Sequence, residues 1–276
     1  MVKTQYVVVS VKAVTKPRVS VVQYLNTVPL IWGMVHGEQQ CKYELTFTTP
    51  AGCAEAVREG KADIGIIPSI EYQRIDGLRV VRGVSIASNF EVRSVLLLSN
   101  VPVERVRTVA ADNSSRTSVA LARILLEKFY LRQVEISGAD PEPDDMLKRS
   151  DSAVVIGDPA LAYRGPAPHV YDLAAEWRKF TGLPFVFAFW AGRDSEKLQE
   201  LAADLRLSRD YGLAHIDEVA AECAPKYNMR PEDVKVYLTH NIDYNLNEDH
   251  RQGVGLFCKL AREVGAISEV RDIVFV

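Results

Sequence analysis

From Arg18 onward the chain alternates short β-branched or wholly apolar runs with stretches whose apolar residues recur at helical spacing. The runs predict strands over 18–22, 43–47 and 62–67, with helices over 28–34 and 51–59 between them. Thr49 and Pro50 open the second of these helices and Gly60 closes it, the expected pairing of start and stop signals. A further apolar strand over 94–99 precedes Pro102, after which a fresh set of units begins: strand 108–111, helix 115–130, strand 134–137, helix 144–149, strand 153–156. Such alternation predicts parallel sheets built from βαβ units, and the restart at Pro102 predicts a second lobe. An unbroken apolar strand over 185–191 leads into helices over 195–213, 216–226, 231–238 and 252–264. That tail has too few strands for a third sheet, so it is expected to pack back on the first lobe. The resulting expectation is an α/β fold of two lobes with a ligand cleft between them. Lobe one would comprise 17–99 and 192–276 and lobe two 100–191, with crossings near 98–102 and 190–194; residues 1–16 read as an N-terminal extension.

The length of 276 residues suits two lobes, because single cores tend to split at roughly 250–300 residues. Net charge is −3, from 33 basic and 36 acidic residues, and no run of Lys or Arg offers an electrostatic footprint for nucleic acid or an anionic membrane. Both partner classes are set aside, and nothing in the pattern fixes an oligomeric state. Cys41, Cys53, Cys223 and Cys258 stand apart without metal or redox spacing, which predicts reduced thiols. The N-terminal stretch lacks the apolar segment and cleavage site of a signal peptide, and no apolar run reaches the roughly 18 residues of a membrane span. A cytoplasmic protein is expected.

Candidate chemistry gathers at strand ends. Asp112-Asn113-Ser114-Ser115-Arg116-Thr117-Ser118 lies between a short strand and a helix, so several hydroxyls stand beside the free N–H groups of a helix N-terminus, where the macrodipole favours a carboxylate. A cap needs one such residue, and this cluster supplies more. Asn26, in Gln23 to Leu30, offers a donor and an acceptor after the first strand, and it also reads as an N-cap. Ser69 follows the strand ending at Pro68 and also reads as a turn residue. Ser94 opens the strand at 94–99; Asp158 ends the strand at 153–156 and also reads as a cap to a short helix. Two lobes presenting these loops to one crevice would form a small-molecule site. The chain carries no GxGxxG, P-loop, HExxH or GxSxG, so nicotinamide, ATP, zinc-hydrolase and serine-hydrolase chemistries lose support. His36, His169, His215, His240 and His250 all lie outside these segments.

The segments YLNTVPLIWG (24–33), ADIGIIPSIEY (62–72), DNSSRTSVALARILL (112–126), VIGDPAL (155–161) and TGLPFVFAFWAGR (181–193) resemble, in order and spacing, the chorismate dehydratases of the futalosine route to menaquinone. The resemblance covers about residues 18–250. YLN and the Pro-Ser turn are shared more loosely with the 1,4-dihydroxy-6-naphthoate synthases of the same pathway; the hydroxyl cluster favours the dehydratase. The resemblance implies a type II periplasmic-binding-protein fold used as an intracellular enzyme. It implies loss of water from chorismate to give 3-[(1-carboxyvinyl)oxy]benzoate, with no metal or organic cofactor. By motif, Asn26 and Ser94 would lie closest to the reacting ring, and Ser114, Ser115, Arg116 and Thr117 would hold a carboxylate, with Ser69 and Asp158 as further contacts. A non-catalytic small-anion receptor of the same fold is the rival reading.

Overall fold

A computed structural model describes residues 16–112, 114–193 and 195–276. The N-terminal extension therefore lies outside the described residues, apart from Lys16. The first parallel strand, β1 (Arg18–Val22), is buried from its second residue on, as a strand covered on both faces must be. A 3-10 turn at Leu25–Thr27 feeds α1 (Val28–His36), with Pro29 in its first turn. β2 (Glu44–Thr48) and α2 (Pro50–Arg58) follow, and the Thr49 hydroxyl caps α2 by accepting from Gly52 N at 3.1 Å. β3 (Ile64–Pro68) ends in a 3-10 turn at Ser69–Gln73, and β4 (Arg79–Ser88) completes the first ascent.

The chain then crosses to the second sheet. There lie β5 (Val95–Ser99), β6 (Thr108–Asp112), α3 (Arg116–Ile124), β7 (Glu135–Ala139), α4 (Pro143–Arg149), β8 (Ser152–Ile156), α5 (Gly157–Ala162), β9 (His169–Asp172) and α6 (Leu173–Thr181). The predicted 115–130 helix is α3 extended by a π-helical turn at Leu125–Phe129. The return strand β10 (Phe185–Gly192) is followed by α7 (Ser195–Ala214), α8 (Ile216–Cys223), α9 (Pro231–Val236), a π turn at Tyr237–Asn241 and α10 (Glu248–Glu263). None of the described helices is long and apolar enough to cross a membrane.

Among the described residues each sheet has five strands, ordered β2-β1-β3-β10-β4 and β7-β6-β8-β5-β9. This corrects two assignments. β5, expected in lobe one, pairs antiparallel with β8 and β9 in the second sheet, and β10, expected in lobe two, lies antiparallel between β3 and β4 in the first. The crossings therefore fall at 89–94 and near 182–184, each one strand earlier than the sequence pattern placed it. Apolar periodicity marks a strand without naming its sheet, so a buried strand next to a crossing can be booked to either lobe.

Both crossings are pinned. The Asp172 carboxylate accepts from Val92 N at 3.0 Å and Arg93 N at 2.6 Å, and also caps α6 through Ala174 N and Ala175 N. Arg93 takes a φ of +62° under that hold, and Ser94 is set by it. At the other crossing, Gly182 ends α6 in the left-handed conformation and Trp177, Phe185 and Phe257 pack edge to face at 5.1–6.4 Å. One apolar cluster consequently runs through both lobes.

Candidate active site

The carboxyl ends of β1, β3 and β8 and the N-terminus of α3 face one another across a hollow of about 540 Å³, its open mouth included. Asn26 and Tyr24 reach it from the turn after β1, Ser94 from the first crossing, Ser115, Arg116 and Thr117 from the start of α3, and Gly157 from the end of β8. Aliphatic and aromatic groups, with Phe187 of β10 and Ile86 of β4 among them, form the rest of the wall. Its mostly apolar lining with a few convergent polar groups is that of a small-molecule site.

The capping alternatives do not hold at three positions. Asn26 lies inside the 3-10 turn, and the residue preceding α1 is Thr27, whose side chain makes no cap bond. Ser115 precedes α3 with φ −103° and ψ 53° and also makes no cap bond. Its Oγ is buried and has no hydrogen-bond partner among the described residues. An unsatisfied buried hydroxyl costs about 1–3 kcal/mol, and this one stands at a helix N-terminus beside the hollow, a setting that favours negative charge. Asp158 sits within α5 and its carboxylate accepts from Leu25 N of the other lobe at 3.1 Å.

Three of the expected site residues do not line the hollow. Ser69 is buried and donates its hydroxyl to Val186 O at 2.8 Å, tying β3 to β10. Ser114 donates both its N–H and its hydroxyl to the Asp112 carboxylate, at 2.8 and 3.0 Å. Asp158 is spent on the Leu25 bond, and burial, only partly offset by the Leu25 N–H and Lys226, pushes its carboxyl up to about 6.

Arg116 does line the hollow, but its guanidinium is turned to two carboxylates of lobe one, Glu71 and Glu55, each at 2.9 Å. Glu71 is fully buried and also meets Arg58 and Arg74, both at 2.9 Å. Arg116 therefore latches the lobes together through Glu71 and Glu55, and leaves Ser115, Thr117 and the α3 N-terminus facing the hollow. Thr117 Oγ1 accepts from Ile70 N at 3.3 Å, a further bond between the lobes.

Two participants escaped the sequence reading. Tyr24 lies in the YLN segment, and its ring packs so closely on Gly157 that a Cβ there would stand 2.7 Å from it. Tyr237, in the C-terminal tail, donates its hydroxyl to Ser94 Oγ at 2.7 Å. The sequence signal for Tyr24 was adjacency to Asn26; for Tyr237 there was none, since 143 residues separate it from its partner.

Comparison with known proteins is consistent along the chain. Residues 17–263 match the profile of the menaquinone biosynthesis family. A chorismate dehydratase of Thermus thermophilus is 28% identical over 262 residues, spanning 86% of this chain and 92% of the relative. One from Campylobacter jejuni is 35% identical over 206 residues, spanning 73% and 76%. Among solved structures, a protein of Archaeoglobus fulgidus superposes with a TM-score of 0.74 at 17% identity, covering 91% of this chain and 98% of its own. The periplasmic aliphatic sulphonate binding protein of Escherichia coli gives 0.65 at 13%, covering 94% and 90%. At these identities the structural matches speak for the fold, which is that of the periplasmic binding proteins.

Proposed function

Since the chain belongs to the menaquinone biosynthesis family, alongside curated relatives that are chorismate dehydratases, we propose that it removes water from chorismate to give 3-[(1-carboxyvinyl)oxy]benzoate. It would do so in the cytoplasm, as a step of the futalosine route, without a metal or organic cofactor. The observation that carries this reading is the buried, unpartnered Ser115 hydroxyl at the α3 N-terminus, inside a largely apolar hollow that Asn26 and Ser94 also enter. A flat ring with a carboxylate at its edge meets both demands.

The proton to be lost sits on the ring carbon bearing the enolpyruvyl ether, and the negative charge left by its removal spreads through the adjacent double bond to the ring carboxylate. Ser115, Thr117 and the α3 N–H groups would stabilise that charge as an oxyanion hole does. The neighbouring hydroxyl then leaves with the proton as water, and the ring becomes aromatic. No histidine or free carboxylate lines the hollow among the described residues. The substrate's own side-chain carboxylate is the proposed base, oriented by Asn26 and Ser94.

Purified protein incubated with chorismate should accumulate the aromatic product, followed by chromatography. Chorismate bound but recovered unchanged would make the chain a small-anion receptor instead. Chorismate neither bound nor consumed, with turnover of the cyclic futalosine derivative, would assign it to the 1,4-dihydroxy-6-naphthoate synthases.

A further inference from the structure

Tyr237 opens the π turn between α9 and α10 and is 1% exposed. Its hydroxyl donates to Ser94 Oγ at 2.7 Å, and its phenol also feels the Asn26 side chain electrostatically. It does not itself line the hollow; it stands behind the two residues that do. A phenol has one proton to give, and here it goes to Ser94, so that Ser94 Oγ is occupied as an acceptor and its own proton must point elsewhere. Among the described residues Ser94 Oγ donates to no protein acceptor, and Ser94 lines the hollow. On the Asn26 side, Oδ1 accepts from Thr27 Oγ1 at 3.4 Å, which turns the amide nitrogen the other way.

Resting on the dehydratase reading, we infer that Tyr237 is a positioning residue, which fixes Ser94 and Asn26 as donors aimed at the bound substrate. The helical tail, which supplies no strand to either sheet, thereby completes the site from 211 residues downstream of Asn26 in a chain of 276. Tyr244 is an internal contrast. It is a buried tyrosine of the same tail, near Tyr237, and its hydroxyl has no partner among the described residues.

The test pairs Tyr237→Phe with Ser94→Ala and uses Tyr244→Phe as the control. Y237F should lower kcat on chorismate about 10- to 100-fold while KM moves less than about threefold. In the S94A background the same change should alter kcat less than about twofold, because its effect runs through the missing hydroxyl. Y244F should stay within about twofold of the parent. An equal loss from Y237F in both backgrounds, or no loss at all, overturns the inference. A crystal structure of Y237F, which needs no substrate, should show Ser94 Oγ displaced from its position; an unmoved Ser94 and Asn26 also overturn it. A wild-type protein inert toward chorismate would sink the dehydratase reading alone, with the crystal structure still deciding whether Tyr237 controls Ser94.

Discussion

At the residue scale, Ser115 separates folding from function. Its buried hydroxyl has no partner among the described residues, so Ser115→Ala removes a desolvated polar group and should leave stability unchanged or raise it by about 1 kcal/mol. The same change should raise the KM for chorismate about tenfold, measured beside a urea melt of the free protein. Asn26→Ala should behave differently. Asn26 is only half buried and its loss opens no large cavity, so the melting temperature should hold while kcat falls about 100- to 1,000-fold, the scale of losing an aimed donor. Full turnover with weakened binding alone would remove Asn26 from the chemistry. These two residues were legible in the sequence because polar side chains at strand-to-helix turns are few and their setting is local. The choice between cap and ligand was not legible, since it depends on φ, ψ and the direction of one side chain. Ser69 and Ser114 carried the same signal as Ser115, yet their hydroxyls are consumed by Val186 O and Asp112. Tyr237 gave no signal, because its partners come from remote parts of the chain.

At the element scale, strong apolar runs and clean stop signals were readable, as β3 and the capped α2 illustrate. β4 was not. Its sequence RVVRGVSIAS carries Gly83 at φ +77°, and its pairing with β10 has two register shifts, so the alternation that betrays a strand is broken within it. β9 and α6 were hidden similarly, by brevity and by the His169–Asp172 run being mostly half-exposed. The junction from β8 to α5 is where an element boundary shapes the site. Gly157 turns there with φ +63°, and a Cβ would lie 2.7–2.8 Å from three atoms of the Tyr24 ring across the cleft. Gly157→Ala should therefore combine backbone strain with an interlobe clash. A loss of about 2–4 kcal/mol in denaturant unfolding is expected, together with weaker chorismate binding as Tyr24 is pushed aside. A G157A protein as stable as the parent would mean that the lobes do not meet at this contact in solution.

Across the whole molecule, the cleft is held by bonds that the sequence could not announce, since each joins residues of different lobes: Arg116 to Glu71 and Glu55, Ile70 to Thr117, Leu25 to Asp158. The last is sensitive to pH. Burial raises the Asp158 carboxyl from 3.8 to about 6, so the folded protein binds that proton more tightly than the unfolded chain does. The stabilising contribution of the protonated group is complete below about 3.8 and is lost as pH rises through about 6. Above that, the folded state holds a charge that burial disfavours. Asp158→Asn keeps a carbonyl oxygen to accept from Leu25 N–H and carries no charge at any pH. The variant should be more stable than the parent at pH 8, by up to about 2–3 kcal/mol, with the difference shrinking toward zero near pH 4. Paired thermal melts across that range measure it directly, and taking the difference between the two proteins cancels every other titrating group. Because opening the lobes returns Asp158 to water, the same proton favours the closed form. Small-angle scattering of the parent should then show a smaller radius of gyration at pH 5 than at pH 8, and no such change in D158N. A variant equally destabilised at both ends of the range would assign Asp158 to hydrogen bonding alone and leave closure independent of pH.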